Sequence, residues 1–156
     1  MMPGATIASS SEITLITLQN CSANISFLSE IFEKIAALGV NVDMISLSPT
    51  QGAFTSLSFT IADEDLGKML QFTSELQARH EIKMIVSSGN SKITVSDQRM
   101  KHTPGIAAAV FAAAARVSTD VRIITTSEEE VSLLVTFADY PETLTAIEQA
   151  MREPQD

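Results

Sequence analysis

The sequence predicts an α+β fold made of two ferredoxin-like units in tandem, each with the element order βαββαβ, an antiparallel sheet and helices on one face. Three observations lead to this prediction. Residues 25–48 have the pattern of a helix, a tight turn and a strand, the same pattern returns later in the chain, and its flanking strands return in the same order. The length of 156 residues suits one ordinary domain or two small ones.

The repeat can be followed residue by residue. Ile31 aligns with Val110, and Ser48 aligns with Ser127, at a spacing of 79 residues. The preceding strand aligns at a spacing of 80 and the following strand at 76, so the length differences fall in loops, where they are tolerated. Because this period is too long for a solenoid repeat, it indicates a duplicated small domain.

The first copy begins with a strand at residues 13–18, after a serine-rich break at residues 9–11. Apolar residues at helical spacing then predict a helix that ends at Gly39, where a left-handed residue is expected. Strand-like residues follow at 40–45, and Gln51-Gly52 predicts a hairpin turn into the next strand.

That next strand is predicted at residues 54–61. Three acidic residues at 63–65 then open a second helix, where the helix dipole favours them. A short strand at 82–86 completes the copy, and residues 87–91 are expected to link it to the second one. The predicted buried face of the second helix consists of Leu66, Met69, Leu70 and Leu76.

The second copy repeats this order. Thr103-Pro104 is a good helix start, because a capping hydroxyl precedes a proline at the first helical position. Strands are predicted at 121–126 and 131–137, followed by a final helix at 141–152 that buries Leu144, Ile147 and Met151. This copy lacks a sixth element, which a short N-terminal strand at residues 5–9 could supply.

The predicted boundaries are therefore 11–88 for the first domain and 89–156 for the second. An N-terminal strand within residues 5–10 is expected to complete the second domain.

Composition narrows the possible functions. The formal net charge is −9, and no basic cluster interleaves with aromatic residues, so neither nucleic acid nor a membrane is an expected partner. The chain has no apolar run of membrane length and no secretion signal, so the cytoplasm is the expected location. The single cysteine, Cys21, rules out an internal disulfide.

The sequence also lacks the patterns of a catalytic or metal site. His80 and His102 have no cysteine or acid at metal-ligand spacing, so no metal and no cofactor are expected. Ser127 has no nucleophile-elbow glycines, and no glycine-rich phosphate loop is present. An enzyme is therefore the least favoured class of function.

Several segments resemble a known family. Gly39–Ile45, followed by Thr55–Thr60, resembles the first ACT domain of aspartokinases. Pro104–Phe111 resembles the start of the first helix in their second ACT domain, and Ile124–Glu128 with Val131–Val135 resembles its strand pair. The resemblance covers nearly the whole chain in order. In that family a strand ahead of the first ACT domain completes the second, which matches the extra N-terminal strand.

The sequence departs from the family in three places. Ala23-Asn24-Ile25-Ser26 replaces the Asp-x-Pro-Gly that usually begins the first helix, Asp120 replaces an asparagine, and Leu47 replaces a glutamine. In addition, the chain has no Lys-Phe-Gly-Gly nucleotide motif, so the kinase domain is expected to be absent.

The resemblance implies that a free amino acid binds between two ACT domains. The first turn of a helix offers unpaired N–H groups to a carboxylate, and residues 24–28 provide such a turn. Asn41 and Asp43 are expected to lie near enough to hold the ammonium group, and Met44, Thr126, Ser127 and Glu128 are weaker additions. The residues predicted to contact the ligand are Asn24, Ile25, Ser26, Leu28, Asn41, Asp43, Met44, Leu47, Ala107, Asp120, Val121, Thr126 and Ser127.

These residues also have purely structural interpretations. Asn41 is suited to a turn, Asp43 to a solvated strand end, and Ser26 to a helix cap. The three glutamates at 128–130 form a hairpin tip, and such a run is usually only solvated surface.

The leading hypothesis is a non-catalytic tandem ACT protein that senses an amino acid, acts allosterically and forms a homodimer. Lysine and threonine are the first candidate ligands, and a partner enzyme is possible. The first alternative is a regulatory subunit, or an isolated regulatory domain, of an aspartokinase of lysine or threonine biosynthesis. The second is an ACT scaffold for protein–protein interaction that has lost its ligand site.

Overall fold

The computed structural model describes residues 4–152, so the last four residues of the predicted second domain lie outside the described range. Six strands and four helices follow one another along the chain. In order, they are β1 (Ala5–Ser22), α1 (Ile25–Ala37), β2 (Ile45–Leu47), β3 (Phe54–Ala62), α2 (Leu66–Arg79), β4 (Lys83–Asp97), α3 (Ile106–Arg116), β5 (Val121–Thr126), β6 (Glu130–Thr136) and α4 (Tyr140–Arg152).

The chain divides into two compact units. The central unit runs from Glu12 to Gly89. The composite unit joins the chain up to Ser11 to the chain from Asn90 onward. Each unit has its own cluster of buried apolar side chains, so each unit is described by itself.

The central unit has the strand order β2-β3-β1-β4. β3 lies antiparallel to both β1 and β2, with Phe59 opposite Ile16 on one side and Ile45 on the other. Leu28, Ile31 and Ile35 of α1 are buried, as their three-and-four spacing predicts. Alternating residues of β1 and β3 complete the core with Met69, Phe72 and Leu76 of α2.

The composite unit has the order β1-β4-β6-β5, using residues 5–11 of β1 and residues 90–97 of β4. β6 lies antiparallel to β4 and β5. Ala5 belongs to the core of this unit, and the Tyr140 hydroxyl donates a hydrogen bond to Ser9 Oγ at 2.7 Å. The N-terminal strand is therefore an integral part of the unit that the C-terminal half of the chain builds.

The predicted break at residues 9–11 and the predicted link at residues 87–91 are both parts of strands. Residues 9–11 lie inside β1, and residues 87–91 lie inside β4. Serine hydroxyls accommodate this by bonding across strands, for example Ser11 Oγ with Ser91 Oγ at 2.9 Å. Glu12 and Gly89 have positive φ angles of 60° and 71°, so each strand leaves regular geometry where the chain passes from one unit to the other.

The strand predicted at residues 40–45 is also wrong in its position. Gly39 has the expected positive φ of 77°, but β2 begins only at Ile45. The cause is an irregular pairing at Thr60, whose carbonyl accepts from Asp43 N at 3.1 Å and whose hydroxyl accepts from Met44 N at 2.9 Å. Both donors approach the same residue, which prevents a regular ladder there.

Two helix predictions also differ in detail. Leu70 is half exposed on α2, whereas Met69, Phe72, Thr73 and Leu76 form the buried face. Thr103-Pro104 does not start α3, because the amides of His102 and Thr103 both donate to the Arg99 carbonyl and extend the preceding 3-10 turn, Gln98–Lys101. α3 begins two residues later, after Gly105.

Candidate functional site

The start of α1 is closed by its own side chains. Asn24 is the N-cap, and its Oδ1 accepts a hydrogen bond from Ser26 N at 2.8 Å. Ser22 Oγ accepts from Asn24 N at 3.2 Å. Ile25 is exposed, whereas Leu28 is buried in the core. A carboxylate at this helix start would have to compete with the Asn24 amide for the first-turn N–H groups.

We expect Asn24→Ala to lower the free energy of unfolding by about 1 kcal/mol, because the cap bond to Ser26 N is lost. Asn24→Ser should retain most of the stability. Urea denaturation followed by circular dichroism measures both changes. Asn41→Ala is the matched control, since Asn41 is exposed, and it should change stability by less than about 0.5 kcal/mol. Equal losses for Asn24→Ala and Asn41→Ala would contradict the capping role.

A cavity of about 210 Å³ adjoins this end of the central unit. Its lining combines apolar side chains with one imidazole and one carboxylate. None of the residues predicted to contact a ligand lines it. The lining residues are Asn20, Ser22, Phe27, Phe54, His80, Glu81 and Ile82.

Within the central unit, Asn41 and Asp43 do not lie near the start of α1. Asp43 N bonds to Thr60 O at one end of β3, whereas Ala23 N bonds to Ala53 O at the other. Seven residues of extended strand separate these two points, or roughly 20 Å. The expectation that the two groups are close together is therefore wrong for a single unit.

The remaining predicted residues of this unit are divided between the same two ends. Met44 lies beside Asp43 and its side chain is buried, so it offers no surface to a ligand. Leu47 is about half exposed and lies toward the end that holds the α1 start, since Ser48 N bonds to Ser56 O near the hairpin. Only residues 24–26 and Leu47 thus share an exposed end.

In the composite unit, the start of α3 is open. Gly105 occupies the N-cap position with φ of 100°, and within residues 4–152 no side chain caps this helix start. Ala107 follows in the first turn and is partly buried. Unlike the start of α1, this turn keeps N–H groups that an external carboxylate could use.

The β5–β6 hairpin lies at the same end of the composite unit. Ser127 N bonds to Glu130 O at 2.9 Å across the tip, and Glu129 O accepts from Asp97 N at 2.8 Å, which ties the tip to the end of β4. A cavity of about 500 Å³ lies between this hairpin and the segment leading to α3. Its lining residues are Met100, Lys101, His102, Ser127 and Glu128.

This cavity contains charges of both signs. Lys101 Nζ lies 3.0 Å from Glu129 Oε1 and 3.9 Å from Glu128 Oε2. Ser127 Oγ accepts from Glu129 N at 3.4 Å, while Thr126 is exposed at the end of β5. A cation, carboxylates and a hydroxyl are therefore grouped between the hairpin tip and the segment that leads to α3.

Just before Met100 in the sequence, the buried Asp97 forms an ion pair with Arg99, whose side chain is 32% exposed. Arg99 Nε donates to Asp97 Oδ1 at 3.0 Å, and Arg99 N donates to the same oxygen at 2.9 Å. The side-chain hydrogen bonds from Arg99 hold the pKa of the Asp97 carboxyl below its ordinary value, against the opposing effect of burial. The pair fixes the 3-10 turn that carries Lys101.

Asp120 and Val121 lie at the opposite end of β5 from Ser127. Asp120 N donates to Asp139 Oδ2 at 2.9 Å, and Asp120 Oδ2 lies 3.4 Å from Arg122 Nη2. The length of β5, roughly 17 Å, separates them from the hairpin tip. The composite unit thus brings Ala107, Thr126 and Ser127 to one end and leaves Asp120 and Val121 at the other.

The sequence interpretation missed Met100, Lys101 and His102. They form no motif, and they precede a helix whose predicted start was misplaced. The helix start was the one signal that could have identified them. Residues that immediately precede an uncapped first turn lie close to any anion that its N–H groups bind. No group of three or more potential metal ligands occurs between residues 4 and 152, and no helix in that range is long and apolar enough to cross a membrane.

Part of the composite unit matches a known protein family. Residues 93–151, from within β4 to within α4, match the family described as ACT domain. These residues resemble an ACT domain. The match falls within the composite unit and includes the open helix start, the hairpin and the cavity between them.

Relatives of known activity are aspartokinases. An aspartokinase of Geobacillus stearothermophilus is 30% identical over 129 residues, which cover 83% of this chain and 31% of that protein. The chain spans about a third of the length of the curated relatives it matches. It therefore resembles one part of these enzymes.

Solved structures show the same fold. The ligand-free regulatory subunit of aspartate kinase from Thermus thermophilus superposes with a TM-score of 0.84 at 22% identity, covering 94% of this chain and 98% of that chain. E. coli aspartokinase III in complex with lysine and aspartate superposes with a TM-score of 0.73 at 20% identity, covering 95% of this chain and 33% of that chain.

Proposed function

We propose that this protein is a non-catalytic regulatory module that senses a free amino acid through its ACT domain. One observation carries the proposal: a cavity lined by the hairpin tip and by the segment that leads to the uncapped start of α3 contains a cation and carboxylates. An amino acid has a carboxylate and an ammonium on neighbouring atoms, so it needs both kinds of partner within a short distance.

The proposed contacts are the ligand-site predictions that share this end, namely Ala107, Thr126 and Ser127. At the start of α1 the Asn24 cap already satisfies part of the first turn, so we assign the central unit a scaffolding role. Lysine and threonine remain the first candidates. E. coli aspartokinase III, which has a similar fold, was crystallised with lysine.

We further propose that the module acts as a homodimer. β2 is an edge strand, and two of its residues, Ile45 and Leu47, are about half exposed. Since a strand of three residues offers few backbone groups for pairing, we assign the contact with a second copy to these exposed apolar side chains. A ligand that favours one dimer packing over another would couple binding to assembly, typically by about 1–3 kcal/mol.

Calorimetric titration tests the sensing proposal. We expect lysine, threonine or another proteinogenic amino acid to release or absorb heat with a stoichiometry of one per chain. The same ligand at about 100 times its Kd should stabilise the protein by about 2.7 kcal/mol and raise its Tm. A folded sample that gives neither heat nor a Tm shift with any of these amino acids would refute sensing.

A second candidate function is the regulatory subunit of an aspartokinase. The observation in its favour is the Thermus thermophilus regulatory subunit, which matches this chain along nearly its whole length. Affinity purification of the tagged chain from its native host should then recover a catalytic aspartokinase chain in a stoichiometric amount. Recovery of the tagged chain alone, at a concentration where it is folded, would argue against this role.

A further inference from the structure

The cavity of the composite unit already contains an ion pair where an amino acid would need two separate charges. We propose that a zwitterion binds here by separating Lys101 from Glu128 and Glu129. The ligand carboxylate then contacts Lys101, and the ligand ammonium contacts the two glutamates. This inference rests on the proposed function, and it names the site and the chemistry of recognition.

The geometry of the pair supports this exchange. Lys101 Nζ lies 3.0 Å from Glu129 and 3.9 Å from Glu128, so the side chains proposed to receive the two ligand charges contact each other directly. The side chains of Lys101, Glu129 and Glu128 are 40%, 41% and 83% exposed. Exposed ion pairs contribute little to stability, so separating this one costs little free energy.

The backbone that carries these side chains is held firmly, unlike the side chains themselves. The buried pair of Asp97 and Arg99 fixes the turn before Lys101. Asp97 N also donates to the Glu129 carbonyl, so a single residue holds both sides of the cavity. Long side chains on a fixed frame can open around a ligand without any change of fold.

The charges balance on both sides of the exchange. Lys101 exchanges its contact with the glutamates for the ligand carboxylate, and the glutamates exchange theirs for the ligand ammonium. The α-carboxylate and α-ammonium of the ligand together add no net charge. Each new pair is a charge-assisted hydrogen bond, which is stronger than a bond between neutral groups. The Lys101 site therefore requires both ligand charges, and a ligand that lacks either one leaves an ion of the protein without its partner.

The first test uses the wild-type protein and calorimetry. The proteinogenic amino acids are titrated singly, and the one that binds most tightly is compared with its N-acetyl and carboxamide derivatives. We expect each derivative to bind at least about tenfold more weakly, because one charge-assisted bond is lost. If both derivatives bind as tightly as the parent amino acid, recognition by paired charges is overturned.

The second test uses matched variants. Lys101→Met and the double variant Glu128→Gln/Glu129→Gln should each weaken binding by at least about tenfold. Lys68→Met is the control for the first, since Lys68 is an exposed lysine paired with Asp65 at 3.1 Å in the central unit. Glu130→Gln is the control for the second, since it removes one charge from the same hairpin. Circular dichroism confirms that each variant is folded.

The outcomes separate this inference from the proposed function. If no amino acid binds the wild type, both are overturned. If the wild type binds but the Lys101 and Glu128/Glu129 variants bind as tightly as their controls, sensing stands and this site is rejected.

Discussion

Phe59→Ala is expected to lower the free energy of unfolding by about 4 kcal/mol, the largest effect of any single change considered for this protein. The Phe59 side chain is 0% exposed at the centre of β3, opposite Ile16 on β1. Its ring meets Phe32 of α1 edge to face, with centroids 5.8 Å apart. Truncation removes these contacts and leaves a cavity between sheet and helix that the backbone cannot fill.

Phe54→Ala is the matched control for this prediction. It removes the same atoms from the same strand, but the Phe54 side chain is 49% exposed. We expect a loss below about 1 kcal/mol. Urea denaturation of both variants measures the difference, with an unchanged slope as evidence that the unfolded states are comparable. Similar losses at the two positions would mean that Phe59 is not the centre of the core.

Asp97→Ala is expected to lower the free energy of unfolding by about 2 kcal/mol. The variant loses the ion pair with Arg99 and the carboxylate that accepts from Arg99 N. We place the loss below the roughly 3–5 kcal/mol of a fully buried pair, because the Arg99 side chain is 32% exposed and can regain water. Thermal and urea denaturation of the composite unit measure the change.

Asp120→Ala provides the control within the same unit. Asp120 pairs with Arg122 at the same sequence spacing as Asp97 with Arg99, but the Asp120 side chain is 56% exposed. Its loss should be below about 0.5 kcal/mol. A loss at Asp97 as small as the loss at Asp120 would show that the buried pair contributes nothing beyond a surface pair.

The dependence of stability on pH follows from the same contact. Arg99 lowers the pKa of the Asp97 carboxyl in the folded protein, so the ionised form stabilises the fold. This contribution is complete above the unfolded-state pKa of about 4, and it is lost as the pH falls through the lower folded-state pKa. As the pH falls from about 5 to about 2, the free energy of unfolding should therefore decrease less for Asp97→Ala than for the wild type.

Much of the architecture could be predicted because its signals are local. The spacing of Leu28, Ile31 and Ile35 predicts α1, and Gly39 predicts where the chain leaves the helix. The predictions for the serine-rich segments, residues 9–11 and 87–91, were wrong because the deciding contacts are not local. Serine is common in loops, yet Ser11 and Ser91 lie inside strands because their hydroxyls find each other across the sheet. A pairing between residues so far apart in sequence leaves no local pattern.

The candidate site was harder to predict for a geometric reason. Resemblance to a family identifies positions, but it does not state which end of a unit each position occupies. Asp43 and Ser26 are separated by a helix and a turn in sequence, and the structure places them at opposite ends of β3. Lys101 was missed because nothing in the local sequence distinguishes it from other lysines. Only the folded hairpin brings Glu129 within 3.0 Å of it.

The participation of residues 5–11 in the composite unit has a consequence for biosynthesis. Residues 5–11 are synthesised some eighty residues before the strand they adjoin, residues 90–97. The intervening polypeptide can collapse by itself, while residues 5–11 cannot join the composite unit until residues 90–97 have been made. Closing so long a loop is entropically costly, and we therefore expect the last kinetic phase of refolding to be the capture of this segment.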